Sequence, residues 1–190
     1  FAVEQGQSQL DPRHAVGDRL ERRLVAHAQL ALGVVEAAKA EMLESDYEDV
    51  LFRIPHFIHY WIEYFGKRDL DEFDIIAVEE ELKVPLLDTG FEMTIRPDAI
   101  VRAKDNHDLV YIMEKKTSGF SHRVTSEAVY YGDQATAYTW GVRKMMNIPV
   151  YAVQPDIAYW NKSTRDLSNM KFIRGDLVFR DEYQTDCFEK

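Results

Sequence analysis

The apolar positions of this chain change period partway along it, from three-and-four to two. That change separates a helical first part from a strand-rich second part. Between Arg13 and about Ser45, Leu20, Leu24, Ala28, Ala31, Val35, Ala38 and Met42 recur every three or four residues, a helical stripe that Gly33 weakens or splits. Asp11-Pro12 starts it, a capping acid followed by proline at the first helical position, and residues 1–11 read as a flexible lead-in. A second helical face runs from Tyr47 to Phe65 through Val50, Ile54, Phe57, Ile58, Trp61 and Ile62, with Gly66 expected to close it. Beyond Asp71 strands take over. Ile75 to Leu86 reads as one long strand, Asp88-Thr89-Gly90 as a turn, and Phe91 to Val101 as the return arm of a hairpin.

Lys104 to Asp108 is a polar turn, and Leu109 to Lys116 is a third strand, broken after it by Ser118-Gly119. Val124 to Met145 reads as one helix with Ala128, Tyr131, Ala135, Tyr138 and Val142 on one side, followed by closing strands at Pro149–Ala158 and Lys171–Phe179. The order helix, helix, three strands, helix, two strands predicts an α/β fold with a mixed sheet, with residues 1–190 forming one domain.

The third strand is the unusual one. Its period of two puts Val110, Ile112, Glu114 and Lys116 on one face and Tyr111, Met113 and Lys115 on the other. Apolar residues on both faces mark a central, covered strand. Ending an inward face with Glu and Lys is costly unless the charges have partners or work to do. Fifteen residues separate Glu114 from Pro97-Asp98, which sits in the strand read as its neighbour. Two carboxylates and a lysine brought together by adjacent strands suit metal-dependent phosphodiester hydrolysis: the acids hold a divalent cation and the ammonium adds charge beside the reacting phosphate.

Composition narrows the class. Of 190 residues, 46% are hydrophobic and 12% aromatic, so the chain folds and does not remain a disordered tail. A single cysteine, Cys187, rules out an internal disulfide and a cysteine-based zinc cluster, in keeping with a reducing, cytoplasmic setting. No apolar run is long enough for a membrane span, and the expectation is no membrane association. The formal charge of -10 argues against a generally basic DNA-coating surface, though not against an acidic metal site. The chain begins at Phe1 without an initiator Met, as a fragment would.

Ile95-Arg96-Pro97-Asp98-Ala99-Ile100, then Val110-Tyr111-Ile112-Met113-Glu114-Lys115-Lys116-Thr117, then Gln134 and Tyr138 as Gln-x-x-x-Tyr resemble, in order and spacing, the RecB-like, phage-type exonuclease branch of the PD-(D/E)XK nuclease superfamily. The resemblance covers roughly residues 13 to 155. It implies a restriction-endonuclease-like mixed sheet flanked by helices. It further implies that Asp98 and Glu114 bind one or two Mg²⁺ or Mn²⁺ ions, helped by the Lys115 carbonyl and by Glu21. Glu21 stands in the ligand slot of Gly17-Asp18-Arg19-Leu20-Glu21-Arg22-Arg23-Leu24, with His14 as its competitor. Asp98, Glu114 and Lys116 would be catalytic, Lys116 orienting the attacking water, and Gln134 and Tyr138 would brace the site or touch the substrate. Pro97 departs from the small or polar residue usual before the Asp, and no helicase or ATPase motif is present.

Plainer readings stand beside these. Asp98 would then be a turn acid, Glu114 and Lys116 a same-face ion pair, Gln134 and Tyr138 ordinary helix surface and core, and Glu21 an i,i+4 partner. His56 and His59, three apart, have no third ligand nearby and read as satisfied interior or boundary histidines. Glu79-Glu80-Glu81 reads as a solvated edge, and Tyr130-Tyr131 as core packing or a base-stacking pair.

The expected activity is a metal-dependent DNA nuclease, an exonuclease on linear ends or single strands, in recombination and repair or in phage and mobile-element processing. Its expected partners are DNA and a helicase, recombinase or annealing protein, with a homo-oligomer among the alternatives. The rivals are an endonuclease on DNA or RNA and a nucleic-acid-binding module that has lost cleavage.

Overall fold

The structure is a computed structural model that describes residues 44–118, 122–160 and 170–186. Phe1–His59 and Tyr60–Lys190 form two compact units. The expected first helix at 13–45 and Glu21 within it fall outside the described residues, Glu44 and Ser45 apart. Among the described residues no helix is long and apolar enough to cross a membrane.

Helix α1 (Glu44–Trp61) is followed by a π-helical turn (Ile62–Gly66) and by α2 (Lys67–Glu72). Gly66 was expected to end the helix, and it does not. It sits in right-handed helical geometry, φ -60 and ψ -43. A glycine stops a helix by turning left-handed. Here the ion pairs Lys67–Glu63 at 2.9 Å and Arg68–Glu72 at 2.8 Å favour another turn. Helical geometry ends only at Phe73, which is extended.

The expected long hairpin is two shorter pairings. β1 (Phe73–Val78) pairs antiparallel with β4 (Ala99–Ala103), and β2 (Leu82–Leu86) pairs antiparallel with β3 (Phe91–Ile95) in a separate sheet. Both arms break at the same level, at Glu79-Glu80-Glu81 and at Arg96-Pro97-Asp98. Glu79 takes a left-handed φ of 47, and its N–H donates to the Asp98 carbonyl at 3.1 Å. Pro97 has no N–H for a ladder, so the outgoing arm cannot run through it. The expected turn is in place: Leu87–Thr89 form a 3-10 turn, and Gly90 accepts the φ of 76 that ordinary side chains avoid.

The main sheet has the order β1-β4-β5-β6-β7, with β5 at Val110–Ser118, β6 at Ala152–Tyr159 and β7 at Lys171–Arg174. β5 runs antiparallel to β4 and parallel to β6, and β6 runs antiparallel to β7. The fold is therefore α/β with a mixed sheet, as the apolar pattern predicts. The last expected strand is shorter than read: beyond Arg174 only an isolated bridge, Val153 to Val178, continues it. A short helix, α5 (Glu182–Asp186), follows.

The single helix expected at 124–145 is two, α3 (His122–Tyr131) and α4 (Asp133–Met146), parted by Gly132 in an extended conformation. Val129 is the buried residue near the end of α3, whereas Ala128 and Tyr131 are exposed and Tyr131 keeps 79% of its surface. Of the expected apolar side, Ala135 and Val142 on α4 are buried and Tyr138 is half-buried. They join Trp140, Ile100, Val110, Ile112, Val153, Leu82, Val84 and Ile95 in one core.

α4 reaches the small sheet at Gly141. A Cβ there would overlap Ile95 Cδ1 and lie 3.1 Å from Val84 Cγ2. Alanine normally stabilises a helix over glycine by about 1 kcal/mol. Overpacking against two buried side chains costs about 1–3 kcal/mol and should win. Gly141→Ala is therefore expected to lower the unfolding free energy by up to roughly 2 kcal/mol in a urea titration, where the helix term alone predicts a gain.

Candidate functional site

The end of β5 and the break in the hairpin meet at one place. β4 and β5 are in register with Ala99 opposite Met113, so Asp98, one residue earlier, comes opposite Glu114, one residue later. Asp98 Oδ2 accepts the Lys115 N–H at 2.5 Å. The strand's alternation sends the Glu114 and Lys116 side chains to the same face, and Lys116 Nζ forms an ion pair with Glu114 Oε1. The shared face expected for these two is thus observed.

The third motif closes on the first two. Lys116 Nζ donates to Gln134 Oε1 at 3.0 Å, Gln134 Nε2 donates to Tyr138 Oη at 2.8 Å, and Tyr138 Oη donates to the Arg96 carbonyl at 3.0 Å. Arg96 is two residues before Asp98, so this relay ties α4 to both the hairpin break and the lysine. Gln134 and Tyr138 lie one helical turn apart and so share a face. Asp98, Glu114, Lys115, Lys116, Gln134 and Tyr138 are all brought together. Glu21 lies outside the described residues.

Glu114 is the electrostatic centre of the group. Its side chain is on the core face with 3% of the residue exposed, and Oε2 is buried without a hydrogen-bond partner among the described residues. Burial pushes its carboxyl above the usual range; the hydrogen bond and charge of Lys116 pull it back, and Asp98 pushes it up again. Burial likewise raises the Tyr138 phenol, and the charges of Glu114 and Asp98 raise it further, against the Gln134 hydrogen bond and Lys116. The folded chain therefore holds the Glu114 proton more tightly than the unfolded chain does. The stability this group contributes is full below the ordinary carboxylate pKa and is lost as pH rises through the raised value. Glu114→Gln removes that dependence. The melting temperature of the variant minus that of the wild type should climb as pH rises from the ordinary carboxylate range through the raised value, read by thermal unfolding at several pH values.

The donor set suits a hard cation. Asp98 and Glu114 offer oxygen ligands, one of them a buried oxygen with no hydrogen-bond partner among the described residues. Among the described residues no group of three or more His, Cys, Asp or Glu side chains is gathered. The described donors are thus these two carboxylates and the main-chain carbonyl expected from Lys115.

Other singled-out residues fall elsewhere. His56 and His59 are exposed on α1, where boundary or interior positions were expected, and His56 Nδ1 lies 2.9 Å from the Phe52 carbonyl oxygen. Glu79, Glu80 and Glu81 are exposed as expected, but they form a break and not a strand edge. Tyr130 and Tyr131 are exposed, their rings 5.0 Å apart, so core packing does not account for them.

Behind the sheet lies a cluster that the sequence reading missed. Asp156 is fully buried, with Lys115 Nζ 2.6 Å from its Oδ2 and Arg174 Nε 2.8 Å from its Oδ1. Asp69 of α2 joins both cations. Burial would pull the Arg174 guanidinium down, but the hydrogen bonds and charges of Asp156, then of Asp69, hold it above its ordinary value. An acid inside the mostly apolar run of β6 was the available signal.

No family model matches this chain, and no curated protein matches it. Among solved structures, one titled "Crystal structure of SSO0001" aligns over 81% of this chain and 66% of that one, at 15% identity and a TM-score of 0.35. This chain thus spans less than two thirds of that structure's length, and so slight a likeness carries no argument about fold or function.

Proposed function

We propose that the chain is a metal-dependent nuclease of the PD-(D/E)XK, RecB-like kind, with a restriction-endonuclease-like sheet, that hydrolyses phosphodiester bonds in DNA. The observation that carries this reading is the convergence of Asp98, Glu114 and Lys116 at the β4–β5 junction, joined through Gln134 and Tyr138. Residues scattered over forty positions of sequence serve one spot. A surface ion pair of no consequence would not need a buried carboxylate with one oxygen unpartnered among the described residues.

Asp98 and Glu114, with the Lys115 carbonyl, would hold one or two Mg²⁺ or Mn²⁺ ions. When bound, such an ion supplies a water of lowered pKa and positive charge at the phosphate. The protein groups do the rest. The Lys115 N–H fixes the rotamer of Asp98 so that its second oxygen is presented at a constant place. Lys116 has three N–H donors, of which Glu114 and Gln134 take two among the described residues, so the remaining one is aimed by its fixed neighbours. That ammonium aligns the attacking water or offsets charge on a phosphate oxygen. Tyr138 and Gln134 hold the lysine from the helix side.

The substrate we assign is DNA at linear ends or as single strands, in recombination, repair or mobile-element processing, alongside a helicase, recombinase or annealing protein. Incubation of the protein with end-labelled linear DNA, closed circular DNA, single-stranded DNA and RNA, with Mg²⁺, with Mn²⁺ and with EDTA, tests it. The expected result is metal-dependent shortening of linear and single-stranded DNA, abolished by EDTA. Cutting of closed circles or of RNA would replace the exonuclease with an endonuclease at the same site. Binding without cleavage in either metal would leave a nucleic-acid-binding module.

A further inference from the structure

The residue between Glu114 and Lys116 connects the candidate site to a charge ladder on the opposite face of the sheet. Lys115 is opposite Asp156 in the parallel β5–β6 register, and Asp156 is opposite Arg174 in the antiparallel β6–β7 register. Three adjacent strands thus carry a cation, an anion and a cation in one transverse row. The row is closed by real contacts: Lys115 Nζ to Asp156 Oδ2 at 2.6 Å, and Arg174 Nε and Nη2 to the two Asp156 oxygens at 2.8 and 3.0 Å. Asp69 of α2 completes it, accepting from Lys115 at 3.3 Å and from Arg174. The aromatic floor is Trp61 and Phe65, whose ring centres lie 5.3 and 5.5 Å from Lys115 Nζ.

Burying such a row is a poor way to gain stability. A fully buried carboxylate loses its hydration, and apolar residues of similar volume serve a core at least as well. What buried charges specify well is register. If β5 slides along β6, Lys115 leaves Asp156 and both ions are stranded. The strand that is pinned in this way is the one whose residue 115 also donates its N–H to Asp98 at 2.5 Å. One residue therefore has its ammonium clamped behind the sheet while its backbone holds a site carboxylate in front.

Resting on the nuclease reading given above, we propose that Asp156 and Arg174 are positioning residues: through the Lys115 side chain they fix the height and twist of β5 at which Asp98, Glu114 and the Lys115 carbonyl face one another. They touch no substrate. Their effect passes entirely through Lys115.

Asp156→Asn and Lys115→Met test this against the full chain. Lys115→Met keeps the apolar stem on Trp61 and Phe65 and leaves Asp156 bonded to Arg174, so it folds even if the aspartate variant does not. Lys115→Arg is the conservative rescue. Amide hydrogen exchange reads the geometry without any metal. In Lys115→Met the Lys115-position N–H should exchange at least about tenfold faster, while the Ile112 and Val153 amides, deep in the sheet, keep their protection. Mn²⁺ titration by calorimetry should show affinity reduced about 10- to 100-fold, the range lost when outer partners of a metal ligand are removed. Lys115→Arg should recover most of both. In the cleavage assay the loss should fall on kcat and on the metal requirement, with KM for DNA unchanged.

A purely structural ladder would instead speed exchange of all sheet amides together and leave Mn²⁺ affinity intact in the folded fraction. That pattern, or an unaltered residue-115 amide, overturns the proposal. If the wild type neither binds Mn²⁺ nor cleaves, the nuclease reading fails while the exchange measurement still decides whether the ladder positions residue 115.

Discussion

Cleavage by Glu114→Gln and by Asp98→Asn should fall by at least about a thousandfold, close to 4 kcal/mol of barrier at 1.36 kcal/mol per factor of ten, with both proteins still folded. The substitutions keep the shapes. In Asp98→Asn the side-chain amide oxygen can still accept the Lys115 N–H, so the hairpin break keeps its anchor. A glutamine at 114 fills the same volume and can still accept from Lys116. What each removes is one of the two formal negative charges that a hard cation requires. Calorimetric Mn²⁺ affinity should fall with the rate, and raising the Mn²⁺ concentration should restore part of the activity of Asp98→Asn. The corresponding alanine variants, which leave no oxygen at all, should show no such recovery. Full activity in both Asn and Gln variants would remove the metal site, and with it the nuclease assignment.

How much of this site was legible follows from the range of the interaction in each case. The period of two along β5 is a local property, and it alone places Glu114 and Lys116 on one face. Pairing of Asp98 with that strand end required only a hairpin-like return, and the register carried it. The two glycines show where local reading stops. Gly66 was expected to end a helix and Gly132 to pass unnoticed inside one, and the chain does the reverse. The residues that follow decide between them. After Gly66 come Lys67 and Arg68 at i,i+4 spacing to Glu63 and Glu72, which extend the helix. After Gly132 comes Asp133, an acid in the first turn of a new helix.

The break in the hairpin has a local signal. Pro97 inside a reading of continuous strand argues against that strand, and the chain obeys. Its counterpart at Glu79 had none, because a left-handed φ on a glutamate is imposed by the partner arm, through the hydrogen bond to Asp98. The ladder behind the sheet lies furthest from sequence. Lys115, Asp156, Arg174 and Asp69 are separated by up to 105 positions, and their meeting depends on strand order, which no local pattern encodes.

Lys116→Ala should separate the role of the lysine from that of the acids. The expected loss is about 10²- to 10³-fold in kcat, the usual effect of deleting one donor aimed at developing charge. Mn²⁺ binding should survive, since the lysine is not a ligand, but its pH dependence should move. In the wild type the hydrogen bond and charge of Lys116 pull the Glu114 carboxyl down against burial. Without them, burial and Asp98 act unopposed and the carboxyl titrates at higher pH. A protonated Glu114 cannot serve as an anionic ligand, so Mn²⁺ affinity in the variant should be weak at low pH and recover as pH rises through the raised value. The loss in kcat should not recover, because no neighbour supplies the missing ammonium; Gln134 loses its donor and Tyr138 stays on the Arg96 carbonyl. The two effects are therefore separable in one experiment, a pH series of Mn²⁺ titrations and single-turnover cleavage on the same variant. If cleavage returned to the wild-type rate at high pH along with metal binding, Lys116 would act only by keeping Glu114 ionised, and its direct part in the reaction would have to be given up.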